Sequence, residues 1–192
     1  MPELMTKTEL LSLLDGIKQS VVFGYVIYGQ LEETDGFRHI ADRINKLANP
    51  TLPIQAKSGV IRESLARLAE FLSTDEKALV LRGNYFLLLD FALIRYTYES
   101  IVMYCEEHEC LDEFQLQQDL YQFARICRNL VSHHDGATLN QWPSSLARKG
   151  VDSVTWRDMT IASSDVGELV YLDTRRVFLL HDDLRQFVHD RL

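Results

Sequence analysis

The fold class of this chain is set by a stretch of ten residues, Tyr85-Phe86-Leu87-Leu88-Leu89-Asp90-Phe91-Ala92-Leu93-Ile94. The stretch belongs to a predicted helix of about residues 75–107, which begins at the capping pattern Ser73-Thr74-Asp75-Glu76. Because nearly every position is apolar, the helix must be covered on most sides, as at the centre of a helical bundle or at a dimer seam. Asp90 then needs a buried partner, for which Arg82 and Arg95 are the candidates.

The other helices are predicted from apolar residues at helical spacing and from capping and breaking residues. Before the central helix we expect helices at about residues 7–32, with a bend or interruption near Gly16 and Gly24, at 37–47 and at 58–72. After it we expect a helix that opens in the Gln-rich segment 115–122 and a final helix capped by Asp173 and Thr174. On the final helix, His181 and His189 are predicted to lie at the surface.

One β-hairpin is predicted in the C-terminal part of the chain. Residues 153–161 alternate between polar and apolar side chains like a strand, 163–167 are typical of a turn, and 168–172 are the predicted return strand. Because a two-stranded hairpin is only marginally stable alone, we expect it to pack on the helices. The expected fold is therefore mainly α, a helical bundle with extra N-terminal helices and a small C-terminal hairpin followed by a helix.

Length and composition favour one domain. A chain of 192 residues with 46% hydrophobic content is long enough for one well-buried core and short for two. We predict a single domain, 1–192, made of N-terminal helices (about 1–73), a bundle core (about 74–134), and a loop, hairpin and final helix (about 135–192).

The amino end and the cysteines bear on the cellular compartment. The amino end lacks the basic, apolar, small-residue order of a signal peptide, and its longest apolar run, 21–28, is shorter than the roughly 20 residues of a membrane span. The cysteines, Cys105, Cys110 and Cys127, form no disulfide framework, and Cys105 to Cys110 lacks the fourth ligand of a metal site. We expect a cytoplasmic protein with reduced thiols and with no membrane partner, metal or cofactor.

The charge distribution restricts nucleic-acid binding to one part of the chain. A formal net charge of -8 argues against a protein that coats nucleic acid without sequence preference, because such binding depends on neutralising phosphates. Between residues 121 and 149, however, the sequence contains four cationic residues and one anionic residue, Asp135, so this segment has a charge of +3. Such a patch can steer one RNA segment. The candidate substrate-binding residues in this region are Arg125, Ser132, Arg148 and Lys149.

The strongest candidate site lies at the end of the helix that opens at 115–122, in the segment Arg128-Asn129-Leu130-Val131-Ser132-His133. The predicted buried stripe of this helix consists of Leu116, Leu120, Phe123, Cys127, Leu130 and Val131. Asn129 projects nearly opposite the stripe, with Arg128 and His133 on its flanks, roughly 140° apart. An arginine fork suits phosphate, and a histidine can transfer a proton near neutral pH, so the pair suits phosphodiester cleavage without a metal.

The angle between these two side chains has a further consequence. Residues about 140° apart on one helix cannot easily converge on one phosphate, whereas a two-fold partner helix laid against this face can supply the missing half. The geometry therefore predicts a composite site across a homodimer. His134 projects onto the apolar stripe, where we expect a packed and hydrogen-bonded histidine.

The motif resembles the Arg-polar-x-x-x-His signature of the HEPN superfamily, with Arg128, Asn129 and His133 in the three defining positions. The surrounding 123–129 and the following 134–136 are similar as well. The resemblance covers roughly residues 78–134, is weaker onward to 192 and does not extend to the first 75 or so. It implies a HEPN-like four-helix bundle whose third helix ends in the motif, a homodimer, and metal-independent endoribonuclease activity in toxin, phage-defence or RNA-processing systems.

By this resemblance, Arg128 holds the scissile phosphate, His133 handles the proton of the ribose 2′-hydroxyl or of the leaving oxygen, and Asn129 orients one of them. The implied products are a 2′,3′-cyclic phosphate and a 5′-hydroxyl. Some toxin members carry a tyrosine two residues after the histidine, which a nucleotidyltransferase antitoxin modifies. This chain departs from that pattern, because the position is Asp135.

Two main interpretations of function stay open, and a nucleotide-binding sensor is a more distant third. The leading one is a metal-independent endoribonuclease of HEPN type, a homodimer that acts as a toxin or phage-defence effector, with RNA as substrate and a cognate antitoxin or regulatory protein as partner. The alternative is a non-catalytic interaction module of the same fold, such as an antitoxin, immunity or scaffold protein. In that case Arg128 is a solvated surface residue and His133 only complements the end of its helix.

Overall fold

The computed structural model describes residues 4–33, 35–47, 51–56, 59–132 and 137–192, with the backbone alone for 52–56 and 59–64. The described chain is mainly helical, as predicted. In chain order its elements are α1 (Lys7–Glu33), α2 (Gly36–Asn45), β1 (Thr51–Ala56), β2 (Gly59–Ser64), α3 (Ala66–Leu72), α4 (Asp75–Glu107), α5 (Leu111–Leu116), α6 (Gln118–Ser132), α7 (Ser144–Ala147), β3 (Ser153–Trp156), β4 (Met159–Ala162), a 3₁₀ turn (Ser163–Asp165) and α8 (Thr174–Arg191).

The chain forms two compact units. The first contains Met1–Val21 and Leu89–Leu192, and the second contains Val22–Leu88. The boundaries cut through α1 and α4, so they differ from the segments 1–73, 74–134 and 135–192 predicted from the sequence. The single domain stays a prediction.

Local capping accounts for where the two long helices begin. The hydroxyl of Thr74 accepts a hydrogen bond from the backbone N–H of Lys77 (3.3 Å), which caps the first turn of α4 at the predicted place. At the start of α1, Thr6 and Glu9 form a capping box in which each side chain accepts from the other's backbone N–H (2.7 and 3.3 Å). α1 then runs as one helix through Gly16 and Gly24.

The first unit is a helical bundle built from the first part of α1, the second part of α4, α6 and α8. An ion pair between Asp15 and Arg185 (2.6 Å) joins α1 to α8. A second ion pair, between Glu99 and Arg128 (2.9 Å), joins α4 to α6. The core of the bundle contains the fully buried side chains Leu10, Leu14, Leu93, Ile101, Phe114, Phe123, Ile126, Leu130, Leu180 and Leu184.

The C-terminal hairpin is present and packs on the bundle, but the predicted return strand at 168–172 is wrong. β4 pairs antiparallel with β3 across a two-residue connection, Arg157–Asp158, which closes the hairpin earlier than the sequence pattern indicates. Leu169 instead forms an isolated bridge with Thr138. The ring of Trp156 lies 5.1 Å from that of Phe123, which places the hairpin against α6.

The second unit contains an unpredicted hairpin. β1 and β2 pair antiparallel over six residues each, so the predicted helix at 58–72 is wrong in its first half and only α3 is helical. β-branched Val60 and Ile61 follow directly after Gly59, and such a run favours an extended backbone over a helix. Ala41 and Ile44 of α2 pack with Ala69 and Leu72 of α3 in a small apolar cluster.

By length and composition, α1 satisfies the criteria for a membrane-crossing helix. Its most apolar 18-residue window has a mean hydropathy of 1.4, and 22% of that window is buried. The core helix of a soluble protein meets the same criteria. A signal sequence near the amino end meets them as well.

Candidate functional site

α6 buries a broad apolar face and leaves Arg128, Asn129 and Ser132 half-buried. The predicted stripe is confirmed at Phe123, Cys127 and Leu130, which are buried. It is wrong at Leu116, which is 74% exposed because the helix is interrupted at Gln117 and Leu116 belongs to α5. Leu120 and Val131 are half-buried, while Tyr121, Ala124 and Ile126 complete the buried face.

Arg128 is held on the α4 side of this helix by a carboxylate. Its Nε and Nη2 donate to Oε1 of Glu99 (3.1 and 2.9 Å), and its Nη1 donates to Oδ1 of Asn129 (3.3 Å). These bonds engage three of the five guanidinium N–H donors. Among the described residues, one N–H on each terminal nitrogen has no acceptor, and the side chain is 36% exposed. The guanidinium is therefore oriented by the protein and still presents a two-donor end to solvent.

Two clefts flank the polar face of α6. The first has a volume of about 380 Å³ and lies against α4, where its lining includes Tyr98, Glu99, Glu106, Arg125, Arg128 and Asn129. The second, of about 290 Å³, is closed by residues 138–144 and is lined on the α6 side by Arg125, Asn129 and Leu130. Arg125 and Asn129 line both clefts, so the polar face of α6 forms the ridge between them.

The cleft against α4 is electrically balanced rather than basic. Among the described lining residues, Arg125 and Arg128 are cationic, and α4 contributes the two carboxylates Glu99 and Glu106. The excess of +3 counted along the sequence therefore does not produce a purely basic pocket, because α4 brings acidic groups from a distant part of the chain. In the second cleft, Arg125 is the charged member among the described lining residues.

Tyr98 is a buried residue in the lining of the cleft against α4. The side chain is buried beside Tyr121, with ring centroids 6.2 Å apart. Burial raises the pKa of the Tyr98 phenol well above its usual value of 10, and the neighbouring Tyr121 adds to the rise. The phenol therefore keeps its proton at neutral pH, and its side-chain hydrogen bond with Tyr121 contributes to that.

The predicted substrate-binding residues occupy different environments. Arg125 lies at the ridge and donates to the hydroxyl of Ser145 in α7 (3.0 Å). The hydroxyl of Ser132 donates to the backbone carbonyl of Arg128 (2.7 Å), which engages its hydrogen within the helix. Arg148 and Lys149 are exposed directly after α7, and Arg148 donates to the carbonyl of Ser144 (3.3 Å).

The second half of the motif lies outside the described residues. The undescribed segment begins with His133, the predicted proton-transfer residue, and continues through His134, Asp135 and Gly136. The structure thus places Arg125, Arg128, Asn129 and Ser132 on one helix. The proximity of Arg128 and His133 is a prediction from their separation of five residues in the sequence.

Three other residues singled out in the sequence have defined environments. Asp90 is buried, as predicted, and accepts a hydrogen bond from the hydroxyl of Thr174 (2.8 Å), while Arg82 and Arg95 form ion pairs with Glu32 and Glu99. His189 is exposed, as predicted. The prediction for His181 is wrong: this side chain is 1% exposed and lies against Thr97 of α4.

The cysteines are free thiols. Burial raises the pKa of Cys105 to about 12 and also raises that of Cys127, so both stay protonated at neutral pH. No group of three or more His, Cys, Asp or Glu side chains that could hold a metal occurs among the described residues.

No family model, curated protein sequence or solved structure matches this chain.

Glu99 is the site residue that sequence reasoning missed. It lies on the long apolar helix, where an isolated carboxylate is usually a solvated surface group. The available signal was its spacing four residues after Arg95, with which it also pairs (3.2 Å). That spacing predicts a pair along one helix, but it does not predict the contact with Arg128 across 29 positions of sequence.

Proposed function

We propose that this protein is a metal-independent endoribonuclease of HEPN type, cytoplasmic and active as a homodimer. The observation that carries the proposal is the state of Arg128. Its guanidinium is held by Glu99 and Asn129, and one N–H on each terminal nitrogen has no acceptor among the described residues at the surface of a cleft. A guanidinium held in this way can donate to two oxygens of one phosphate. His133 follows Arg128 by five residues, as in the Arg-polar-x-x-x-His motif.

The proposed chemistry needs no metal. Arg128 stabilises the negative charge that develops on the phosphate as the ribose 2′-hydroxyl attacks, and Asn129 keeps the guanidinium aligned. His133 takes the 2′-hydroxyl proton or gives a proton to the leaving 5′ oxygen. The bond to the leaving oxygen breaks as the new one forms, so the products are a 2′,3′-cyclic phosphate and a 5′-hydroxyl.

The test is cleavage of mixed structured and single-stranded RNAs by the purified protein, with and without excess EDTA. Loss of a positioned charge or proton donor commonly reduces a rate by about 10² to 10⁴. We therefore expect Arg128→Ala and His133→Ala to abolish cleavage and EDTA to leave it unchanged. Arg95→Ala is the matched control, because it removes another arginine bound to Glu99 that does not line the cleft. It should cleave like the native chain.

If the site is shared between two copies, the motif helix α6 of one copy must lie close to α6 of the other. Asn129→Cys, on the half-buried ridge of α6, should give a cross-linked dimer with a short bifunctional thiol reagent. Activity that requires a metal, or that both Arg128→Ala and His133→Ala retain in full, contradicts the mechanism. A dimer in which Asn129→Cys does not cross-link contradicts the composite site.

One observation favours the non-catalytic alternative. Glu99 neutralises Arg128 within the chain, and Glu106 lines the same cleft, as in a structural ion-pair network. In that case the protein is an antitoxin, immunity or scaffold module that neither cuts nor binds RNA. Arg128→Ala should then leave RNA binding unchanged at a low background level and should lower stability by less than about 1 kcal/mol, as for other half-exposed ion pairs.

A further inference from the structure

Two cysteines lie at the turn that joins α4 to α5. Cys105 belongs to the last turn of α4, and Cys110 comes directly before the first residue of α5. Cys105 is fully buried, Cys110 is half-buried, and both are free thiols. Their side chains are hydrogen-bonded to each other. The turn therefore holds an inner thiol and an outer thiol in contact.

The backbone of this turn explains the contact between the thiols. The N–H of Cys110 donates to the carbonyl of Cys105 (2.9 Å). Glu109 has a φ of 54°, in the left-handed region, and its N–H donates to the carbonyl of Glu106 (3.5 Å). These features define a Schellman motif, which ends a helix and commonly brings together two apolar side chains at the positions of Cys105 and Cys110. Here two sulfur atoms form that contact.

The same turn meets the geometric requirements of a disulfide. A disulfide needs α-carbons about 4.4–6.8 Å apart and side chains that point towards each other. The backbone hydrogen bond joins a group next to the α-carbon of Cys110 to a group next to that of Cys105, so it sets a separation of this order. The contact between the thiols shows that the side chains point towards each other. A bond between the sulfurs can therefore form with the turn retained.

The surroundings of the pair favour a small, neutral oxidant. Five exposed carboxylates lie within four residues of one or other cysteine: Glu106, Glu107, Glu109, Asp112 and Glu113. Oxidised glutathione carries a net negative charge and is repelled by such a surface, whereas hydrogen peroxide is uncharged. Cys110 is the more accessible thiol of the pair, and Cys127 is fully buried on α6. An oxidant from solvent therefore reaches Cys110 first.

We propose that Cys105 and Cys110 are a site of reversible oxidation by hydroperoxides, which converts the two thiols into an intramolecular disulfide. The Cys110 sulfur first attacks one oxygen of hydrogen peroxide, the O–O bond breaks, and the departing hydroxide takes the thiol proton and leaves as water. The Cys105 sulfur then attacks the resulting sulfenic acid. The S–S bond forms as the S–O bond breaks, and the second hydroxide leaves as water with the proton of Cys105.

The reaction balances without any further reactant. The two thiols lose two electrons and two protons, and one peroxide is reduced to two molecules of water. Disulfides in the cytosol are usually transient and redox-sensing, and a dithiol reductant reverses this one by thiol–disulfide exchange. The chemistry does not depend on RNA cleavage or on the oligomeric state.

The experiment counts free thiols in the full, reduced chain before and after a small excess of hydrogen peroxide. The chain is then unfolded, alkylated and weighed by mass spectrometry. All three cysteines should be alkylated before oxidation, and Cys127 alone afterwards. The unalkylated oxidised chain should be lighter by about 2 Da, because two hydrogens are lost. Dithiothreitol should restore the three alkylation sites.

A protease map of the native chain identifies the two linked residues. Three glutamates lie between the cysteines, Glu106, Glu107 and Glu109. A glutamate-specific protease therefore separates Cys105 from Cys110 in the reduced chain, whereas a disulfide keeps the two peptides together until it is reduced. Cys127→Ala is the matched control and should form the disulfide, whereas Cys110→Ala should not. The map of the native chain decides the question even if a variant misfolds.

A second measurement tests whether the disulfide fits the fold. The ratio of disulfide to dithiol is measured at equilibrium with reduced and oxidised dithiothreitol, in the folded chain and in urea. A cross-link that fits the native fold stabilises it, so the fold stabilises the cross-link by the same factor. The disulfide should be favoured about tenfold more in the folded chain than in the unfolded one.

Four results overturn the proposal. The first is a native chain that keeps three free thiols under conditions that oxidise N-acetylcysteine. The second is oxidation of Cys110 that ends at the sulfinic acid, with a gain of about 32 Da and no disulfide. The third is a disulfide to Cys127 or to a second copy of the chain, as shown by the protease map and by electrophoresis without reductant. The fourth is a disulfide that is no more stable in the folded chain than in urea.

Discussion

Acidification from pH 7 to pH 5 is expected to destabilise the first unit, because it acts on a histidine that the fold buries. His181 of α8 is 1% exposed. Its Nδ1 lies 2.8 Å from the hydroxyl of Thr97, and its Nε2 has no hydrogen-bond partner among the described residues. An imidazolium at this position therefore has no acceptor in place for its second proton.

Burial lowers the pKa of His181 from 6.5 to about 4. The charged neighbours oppose one another: Asp182 and Asp15 raise the pKa, whereas their ion-pair partners Lys18 and Arg185 lower it. Since the folded pKa lies below the unfolded one, the unfolded chain binds more protons between the two values. Stability is then full above about pH 6.5 and decreases as the pH falls towards 4. With these two pKa values, the loss between pH 7 and pH 5 is about 2 kcal/mol.

The assay is denaturant unfolding at pH 7, 6 and 5 at constant ionic strength, followed by tryptophan fluorescence. Both tryptophans, Trp142 and Trp156, belong to the first unit, so the signal reports the unit that contains His181. His181→Gln removes the titration, and its stability should change between pH 7 and pH 5 by about 2 kcal/mol less than that of the native chain. His189→Gln, an exposed histidine on the same helix, is the control and should retain the native difference.

Two outcomes would refute the reasoning. If His181→Gln loses as much stability on acidification as the native chain, the pH dependence comes from other groups. If the native chain becomes more stable between pH 7 and pH 5, the imidazolium has a favourable partner in the fold.

Three further predictions concern the first unit, and each is measured by the same unfolding assay. Phe123→Ala should cost about 3–5 kcal/mol, because the side chain is fully buried against Trp156; a cost below 1 kcal/mol would show that the core repacks. Asp173→Ala should cost about 1 kcal/mol, since it removes the carboxylate that accepts from the backbone N–H of Arg176 (2.8 Å) at the start of α8, whereas Asp173→Asn should cost less. Arg157→Gly should be more stable than Arg157→Ala by about 1 kcal/mol, because both lack the ion pair with Asp183 but only glycine adopts the φ of 53° without strain; equal stabilities would contradict that reason.

The elements that the sequence predicted are those defined by local information. α4 and α8 begin at side chains that cap their own first turns, Thr74 and Asp173, and each carries apolar residues at helical spacing. By contrast, the segment that forms β2 and α3 has apolar residues at 60, 61, 65, 68 and 72, a spacing that also fits one helix. The antiparallel pairing of β1 with β2 decides between the two, and that pairing is not encoded in the spacing.

The position of His181 shows the same limit for single residues. It lies between Leu180 and Asp182 on an amphipathic helix, and its neighbours do not indicate which way it faces. It is buried because α4 presents Thr97 directly opposite, 84 positions earlier in the chain. Only the packing of α8 on α4 brings the hydroxyl and the imidazole together, so the buried pair could not be predicted from either helix alone.

The carboxylates around Arg128 weaken the phosphate binding that the sequence motif alone suggests. A projection of α6 alone gives Arg128, Asn129 and His133 on one open face, and the local sequence charge suggests ready binding of phosphate. In the fold, α4 supplies Glu99 and Glu106 to the cleft, so the two arginines among its lining residues are matched by two carboxylates. A phosphate that enters this cleft is not attracted by a net positive charge. The ion pair between Glu99 and Arg128 opposes its binding, because the carboxylate repels the phosphate. Phosphate binding therefore needs at least one further cation or donor beyond the described lining of this cleft.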